Sequence, residues 1–337
     1  MKVCKFGGTS LSTKDNFLRV KDIILSDKKR KIVVVSAPGK TDRESVKVTD
    51  LLIALYKNRD DDSVKEQIYS RFYRIINGLN IDLNVEKELK LEKDCLYDEF
   101  ISKGEFLTAK ILSRLIGYEF IDADKLLRFD DKGGLLKINL NDYKKSLKKG
   151  IVVPGFYYYQ DGIKTFPRGG SDITASYLAR LFNCKIYENF SDVDGIYSIN
   201  PSYINSPRVI KVMGYSDYEN LSFLNPKVFE KSAYKPVIGS KIKIIVKNTF
   251  NPLLQGTTIL PTYRTKKTVF ISVSKKENVL ILSGKNLTKK EAVNTIRAAL
   301  SGIDYVFLEY TPELVKIEIR DYNPKDALLQ LYRGVFL

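Results

Sequence analysis

Residues 2–10 read Lys2-Val3-Cys4-Lys5-Phe6-Gly7-Gly8-Thr9-Ser10, and this stretch sets the fold class. Val3 to Phe6 is a short apolar run of the kind a buried strand needs, and Gly7-Gly8-Thr9-Ser10 supplies a turn. From about Thr13 to Leu25 apolar residues recur at helical spacing through Phe17, Leu18, Val20, Ile23 and Ile24. Ile32-Val33-Val34-Val35-Ser36 follows, a β-branched run typical of a strand covered on both faces. Strand, glycine turn, helix and buried strand in that order predict an α/β architecture.

The same alternation continues outward. The loop Ala37 to Asp42 leads into a helix near Thr49 to Tyr56, and residues 63–115 carry helical spacing, with Gly104-Glu105 expected to open the last of those helices. Strands are expected at Glu119 to Asp122, Ile151 to Phe156, Lys185 to Asn189 and Lys243 to Lys247, and a helix near Ser171. Tyr157 to Phe166 reads as a hairpin turning on Asp161-Gly162. These elements predict a mostly parallel sheet sandwiched by helices. The polar run Pro261 to Lys267 marks a boundary, which divides the chain into domains 1–262 and 263–337. The tail reads strand, strand, helix, strand, strand, helix, a small α+β module suited to sensing or dimerisation. No internal repeat is visible.

The 337 residues fit roughly two domains at about 150 residues each. Histidine is absent, which removes Ser-His-Asp and Cys-His nucleophile systems, histidine-bound metals and imidazole acid–base chemistry. Cys4, Cys95 and Cys184 form no C-x-x-C pair, so neither a disulfide framework nor a structural zinc site is expected, and a reducing cytoplasm is the natural setting. No apolar run approaches the roughly 20 residues that span a bilayer, and the charged start does not form a signal-peptide core. The net charge of +16 raises nucleic acid as a partner. The lysines are scattered in short pairs and no basic-aromatic motif accompanies them, so a solvated surface that attracts small anions is the expectation, with neither nucleic acid nor membrane as partner.

Four stretches could carry chemistry. Gly39-Lys40-Thr41 after an apolar strand imitates the end of a P-loop, but Val34 stands where its first glycine belongs. Lys5 through Ser10 reads either as a tight strand–helix turn with a solvent lysine or as an anion site. In the second reading the lysine points along the sheet's carboxyl edge and two glycines bare the backbone amides. Arg168-Gly169-Gly170-Ser171-Asp172 offers a second such site, with Ser171 as an N-cap, a forked contact from Arg168, and Asp172 either complementing the helix dipole or orienting a lysine or metal ion. Ser191-Asp192-Val193-Asp194-Gly195-Ile196-Tyr197 is either an Asp-Gly turn or a nucleotide loop at a strand's carboxyl end.

Taken in series, these stretches resemble the aspartate kinases of the amino acid kinase family. The match is carried by KFGGTS at 5–10, VVVSAPGKTD at 33–42, SKGE at 102–105 and the GF pair at 155–156. It continues with RGGSD at 168–172, SDVDGIY at 191–197, PKV at 226–228 and VKNTFNPLLQGTTI at 246–259. The blocks keep the family's order over about residues 2–260.

The resemblance implies ATP-dependent phosphorylation of the β-carboxylate of L-aspartate, with Mg²⁺ held mainly by the ATP phosphates and no protein metal site, as the first step toward lysine, threonine and methionine. Lys5 would contact the transferring phosphoryl group, with Gly7, Gly8, Thr9 and Ser10 as its cradle. Thr41, Glu105, Phe156, Arg168 and Ser171 would form the aspartate pocket, with Glu105 on the amino group and Arg168 on the α-carboxylate. Asp172 would organise the lysine–metal array. Ser191, Asp192, Tyr197, Lys227 and Val228 would meet the nucleotide. A homodimer or higher homo-oligomer and a lysine or threonine effector are also implied, although the 70-residue tail has room for one ACT-like unit where the family's usual tail holds two.

Three departures stand out. Ser191 replaces the family's threonine, and Asn200-Pro201-Ser202 lacks an arginine expected on phosphate, a loss of about 1.5–3 kcal/mol for one charged contact. Residues 225–230 keep only Lys227-Val228 of their block. Ser202 and the altered segment 225–230 motivate one alternative, a non-catalytic amino-acid sensor of the same fold; a second keeps the family but changes the acceptor to another small carboxylate or a phosphate.

Overall fold

Strand β1 (Lys2–Phe6) buries Val3, Cys4 and Phe6 completely, as its apolar run requires. The computed structural model describes residues 1–91, 94–167, 169–222, 231–263, 270–273 and 278–336. The strands that follow are β2 (Arg30–Val35), β3 (Glu119–Phe120), β4 (Ile151–Pro154), β5 (Tyr157–Tyr159), β6 (Ile163–Thr165), β7 (Ile186–Ser191), β8 (Val212–Gly214), β9 (Lys243–Asn248), β10 (Thr257–Leu260), β11 (Phe270–Val273), β12 (Val279–Ser283), β13 (Asp304–Tyr310) and β14 (Leu314–Arg320). They fall into two compact units, Met1–Val193 with Ser232–Leu254, and Asp194–Lys231 with Gln255–Leu337.

In the first unit β3, β4, β2, β1, β7 and β9 lie side by side, every neighbouring pair parallel. Parallel pairing places all their carboxyl ends on one rim. The registers Phe6↔Val35, Val35↔Pro154, Phe6↔Phe190 and Ser191↔Asn248 bring residues far apart in sequence to that rim. The helices Lys14–Leu25, Val48–Lys57, Asp62–Gly78 and Tyr97–Ile116 share one core with the strands through Phe17, Leu52, Phe72 and Phe100. The predicted hairpin forms as β5 and β6, with positive φ at Asp161 and Gly162 as such a turn needs.

Two sequence expectations need correction. Gly104-Glu105 sits in the middle of the helix Tyr97–Ile116, because this helix passes so close to the loop after β2 that a Cβ at Gly104 would lie 2.8 Å from Ala37 Cβ. The glycine marks a close approach, not an end. Ser171 is not the N-cap of its helix. That helix runs Gly170–Leu181, and its cap is Gly169 at φ 79°, a left-handed conformation natural to glycine.

In the second unit β8 pairs parallel with β10. The order β11-β12-β14-β13 forms an antiparallel sheet whose apolar face packs on the helices Lys290–Ala299 and Pro324–Phe336 through Leu280, Val315, Ile317, Ile296, Leu328 and Leu331. The expected α+β module is therefore present. Ile199 is buried in the same core, and the Tyr332 hydroxyl accepts the Arg208 backbone N–H at 2.9 Å. Compactness thus groups residues 194–231 with the tail, which a cut at 262 along the chain does not. Among the described residues no helix is long and apolar enough to cross a membrane.

Candidate active site

The rim of the first unit gathers the turns that follow β1, β2, β4 and β7. Lys5 is paired across the sheet with Asn189. Its Nζ lies 2.8 Å from Asp172 Oδ1, in the first turn of the helix Gly170–Leu181. Asn189 Nδ2 donates to the same Oδ1 at 2.9 Å and to the Tyr187 hydroxyl at 3.1 Å. Asp172 therefore holds one ammonium and one amide on a single oxygen, beside the positive end of a helix.

The Gly7-Gly8 turn lies next to this pair. A Cβ at Gly7 would come 3.6 Å from Lys5 Nζ, so the lysine head runs alongside the turn. Gly8 is compulsory for packing, since a Cβ there would meet the Ala37 carbonyl oxygen at 2.7 Å. Gly39 donates its N–H to the Gly8 carbonyl at 2.8 Å, and a Cβ on Gly39 would strike Thr9 N at 2.5 Å. The two glycine turns thus interlock backbone to backbone, and the P-loop imitation at Gly39-Lys40-Thr41 becomes a brace for the first turn. Thr9 and Ser10 lie in the short 3₁₀ turn Thr9–Leu11, and the buried Ser10 hydroxyl meets Thr249 Oγ1 at 2.7 Å.

On the far side of β2, Ser36 Oγ donates to Ser171 Oγ at 2.9 Å, and Gly155 lies so near Ser171 that a Cβ would approach its Oγ to 2.6 Å. Phe156 adopts φ 81°, a strained conformation for a side chain of this size, and its N–H donates to Thr174 Oγ1 at 3.1 Å. Gly170 lies against it, where a Cβ would come 2.7 Å from Phe156 Cδ2. Gly155, Phe156, Gly170 and Ser171 form one wall.

Glu105 is buried on the helix Tyr97–Ile116. Burial pushes its carboxyl up to about 8, a rise opposed by a hydrogen bond from the Ala37 backbone N–H. Its Oε2 is buried with no hydrogen-bond partner among the described residues. A carboxyl kept in this state is costly unless a cation comes to it. Ala37 links the pieces, because its carbonyl borders Gly8 and its N–H reaches Glu105.

The structure thus brings Lys5, Gly7, Gly8, Ser171, Asp172 and Phe156 to one rim, with Glu105 tied to it through Ala37. Thr41 is engaged within its own loop, its hydroxyl donating to Glu44 Oε2 at 2.6 Å. Ser191 ends β7 and Asp192 follows it, with Ser191 Oγ donating to Asp192 Oδ1 at 3.1 Å and the Thr249 N–H donating to the Ser191 carbonyl. Tyr197 belongs to the second unit, and its hydroxyl accepts the Asp194 N–H at 3.3 Å. Arg168, Lys227 and Val228 lie outside the described residues. Sequence reasoning missed Asn189, Ser36 and Thr249, which bond to the site residues. Asn189 alone left a signal, as a polar residue in an otherwise buried strand.

A model of the amino acid kinase family matches residues 1–248. The chain belongs to the amino acid kinase family. Among its relatives, this amino acid kinase is 34% identical over 290 residues to aspartokinase 3 of Bacillus subtilis, covering 77% of this chain and 63% of that protein. It is 26% identical to lysine-sensitive aspartokinase 3 of Escherichia coli, with 76% and 63% covered. The chain thus spans just under two thirds of these two relatives. Among solved structures it superposes on Clostridium acetobutylicum aspartate kinase with a TM-score of 0.87 at 26% identity, covering 99% of this chain and 100% of the other. The fold is also that of E. coli aspartokinase III in complex with aspartate and ADP, at TM-score 0.81, 16% identity and full coverage of both chains.

Proposed function

We propose that this chain is an aspartate kinase, transferring the γ-phosphoryl group of ATP to the β-carboxylate of L-aspartate and releasing ADP and 4-phospho-L-aspartate. The observation that carries the reading is the Lys5–Asp172 pair at 2.8 Å beside a glycine turn on the carboxyl rim of a parallel sheet. A β-carboxylate oxygen forms a bond to Pγ while the bond from Pγ to the β,γ-bridging oxygen breaks, and no proton moves. A side-chain carboxyl near pKa 4 is ionised at neutral pH, so the nucleophile needs no general base and a chain without histidine can serve.

The task is to bring two anions together, which calls for positioning and fixed positive charge. Lys5 supplies the charge on the phosphoryl group, Asp172 and Asn189 hold the lysine in place, and Gly7, Gly8, Thr9 and Ser10 line the cradle. Glu105 receives the substrate ammonium, Arg168 its α-carboxylate, and Thr41, Phe156 and Ser171 complete the pocket. Ser191, Asp192, Tyr197, Lys227 and Val228 are assigned to the nucleotide by the family resemblance. Mg²⁺ supplies charge neutralisation on the phosphates when bound. By the family resemblance the ATP phosphates would carry the ion.

The test is trapping with hydroxylamine. Purified protein with ATP, Mg²⁺ and aspartate should give aspartyl hydroxamate, and the yield should fall when lysine or threonine is added if either is the effector. Hydroxamate from glutamate or N-acetylglutamate but none from aspartate would overturn the assignment.

A further inference from the structure

The loop between β2 and the helix Val48–Lys57 carries Thr41, and one residue outside every expected site holds that loop. Arg71, in the middle of the helix Asp62–Gly78, is 2% exposed. Its Nη2 donates to the Gly39 carbonyl and its Nη1 to the Val46 carbonyl at 2.6 Å. One planar guanidinium thus closes the loop at both ends, a task that needs the fixed fork of arginine. Its Nε lies 3.5 Å from Glu44 Oε2. Glu44 in turn accepts the Thr41 hydroxyl on that oxygen at 2.6 Å, gives its N–H to Thr41 Oγ1 at 3.0 Å, and pairs with Arg74 through Oε1. The Thr41 N–H returns to the Glu44 carbonyl at 3.0 Å.

Burial lowers the pKa of Arg71, and the Glu44 charge opposes that. A buried cation with its donors on backbone carbonyls is costly to keep. The same loop holds Gly39 against Gly8, so its position also governs the brace on the phosphate turn.

We propose that Arg71 is a positioning residue for the acceptor side of the reaction, fixing Thr41 through the two loop ends and through Glu44. The inference rests on the aspartate reading of Thr41. It assigns to the helix Asp62–Gly78, which carries none of the residues placed in the aspartate pocket, control over acceptor affinity.

Arg71→Lys keeps the charge but cannot reach both carbonyls, and Glu44→Gln keeps the shape but removes the counter-charge. Steady-state kinetics and amide hydrogen exchange are measured on both variants. Arg71→Lys should raise KM for aspartate roughly tenfold with KM for ATP changed less than about twofold, and Glu44→Gln should do the same to a smaller degree. Exchange should quicken at residues 40–46 and stay unchanged in the helix Tyr97–Ile116. An unchanged aspartate KM with wild-type exchange in the loop would overturn the proposal. So would a joint rise in both KM values with faster exchange throughout, which a general packing defect produces. Wild-type protein that makes no acyl phosphate from aspartate would remove the aspartate reading alone, and exchange at residues 40–46 would still decide whether Arg71 holds the loop.

Discussion

The sheet of the first unit has a buried ion pair at its carboxyl rim and another toward its amino edge, and the two behave differently. At the carboxyl rim Lys5 pairs with Asp172, with side chains 11% and 12% exposed. At the amino edge Arg30 pairs with Glu188, at 9% and 4%. Burial therefore does not separate the pair proposed for catalysis from a structural one. Saturation does. Both Glu188 oxygens are used, Oε2 accepting from Arg30 Nε at 2.6 Å and Oε1 from Lys2 Nζ at 3.1 Å and Arg30 Nη2 at 3.3 Å. Arg30 also donates to the Ile23 carbonyl and to Ser26 Oγ. Lys2 is then held by Asp27 at 2.8 Å. Burial pushes the Asp27 carboxyl up, but the hydrogen bonds from Lys2 and the Lys29 N–H, with the charges of Lys2 and Arg30, together outweigh it and lower the pKa. At the rim, both bonds to Asp172 fall on one oxygen and the lysine runs along a turn without side chains. Backbone amides end there as well, because parallel strands stop together and a helix starts. One end is closed by its own partners, and the other leaves its lysine beside a bare turn, as the proposed phosphoryl contact requires.

The comparison can be broken by mutation. The largest effect is expected from Glu188→Ala, which strands Arg30 and should cost about 3–5 kcal/mol of stability. The kcat of the folded fraction should hold within about twofold. Denaturant unfolding read beside kinetics checks this, and a lost kcat with intact stability would reverse the roles assigned to the two ends. Lys5→Ala and Asp172→Ala should each lower kcat by roughly 10²-fold or more in protein that circular dichroism shows to be folded. Near-normal turnover in either would remove the rim pair from the reaction.

A third test sharpens the contrast by pH. Glu105 keeps its proton up to about pH 8, so a substrate ammonium must displace it. Aspartate KM should then fall by about tenfold per pH unit approaching that value and level off above it, and Glu105→Gln should flatten the profile. The sign for folding is the opposite. A raised carboxyl pKa stabilises the fold below the ordinary value of 4.5, and that stability is lost as pH rises through about 8. An aspartate KM that is level from about pH 6 to 8 would refute the ammonium role. The smallest effect is expected from Arg168→Lys, where a forked contact becomes a point contact and aspartate KM should rise roughly fivefold while kcat changes little. An unchanged KM would take Arg168 out of the pocket.

The rim residues were legible because they sit at turns. Lys5, Gly7, Gly8 and Asp172 are read from strand, glycine and helix punctuation, which is local. Gly104 misled because a glycine in a helical pattern looks like an end, and only the nearness of Ala37 explains it. Ser171 misled for a related reason: its hydroxyl serves Ser36 across the sheet and not its own helix. Arg71 was invisible as a site residue, since its partner Gly39 lies 32 residues away and no spacing rule joins them, and the polar Asn189 gave no hint of its partner Asp172, 17 residues away.

By itself the sequence determined the alternation of strands and helices, the glycine turns and the absence of imidazole chemistry, because periodicity, φ freedom and side-chain type are properties of short stretches. Only the tertiary structure decided which ionic pair was closed and which faced the rim, that Glu105 is buried with an oxygen unpaired, and that one arginine holds the Thr41 loop. Those facts depend on which groups lose water together, and that is set by parallel register and packing across the whole sheet.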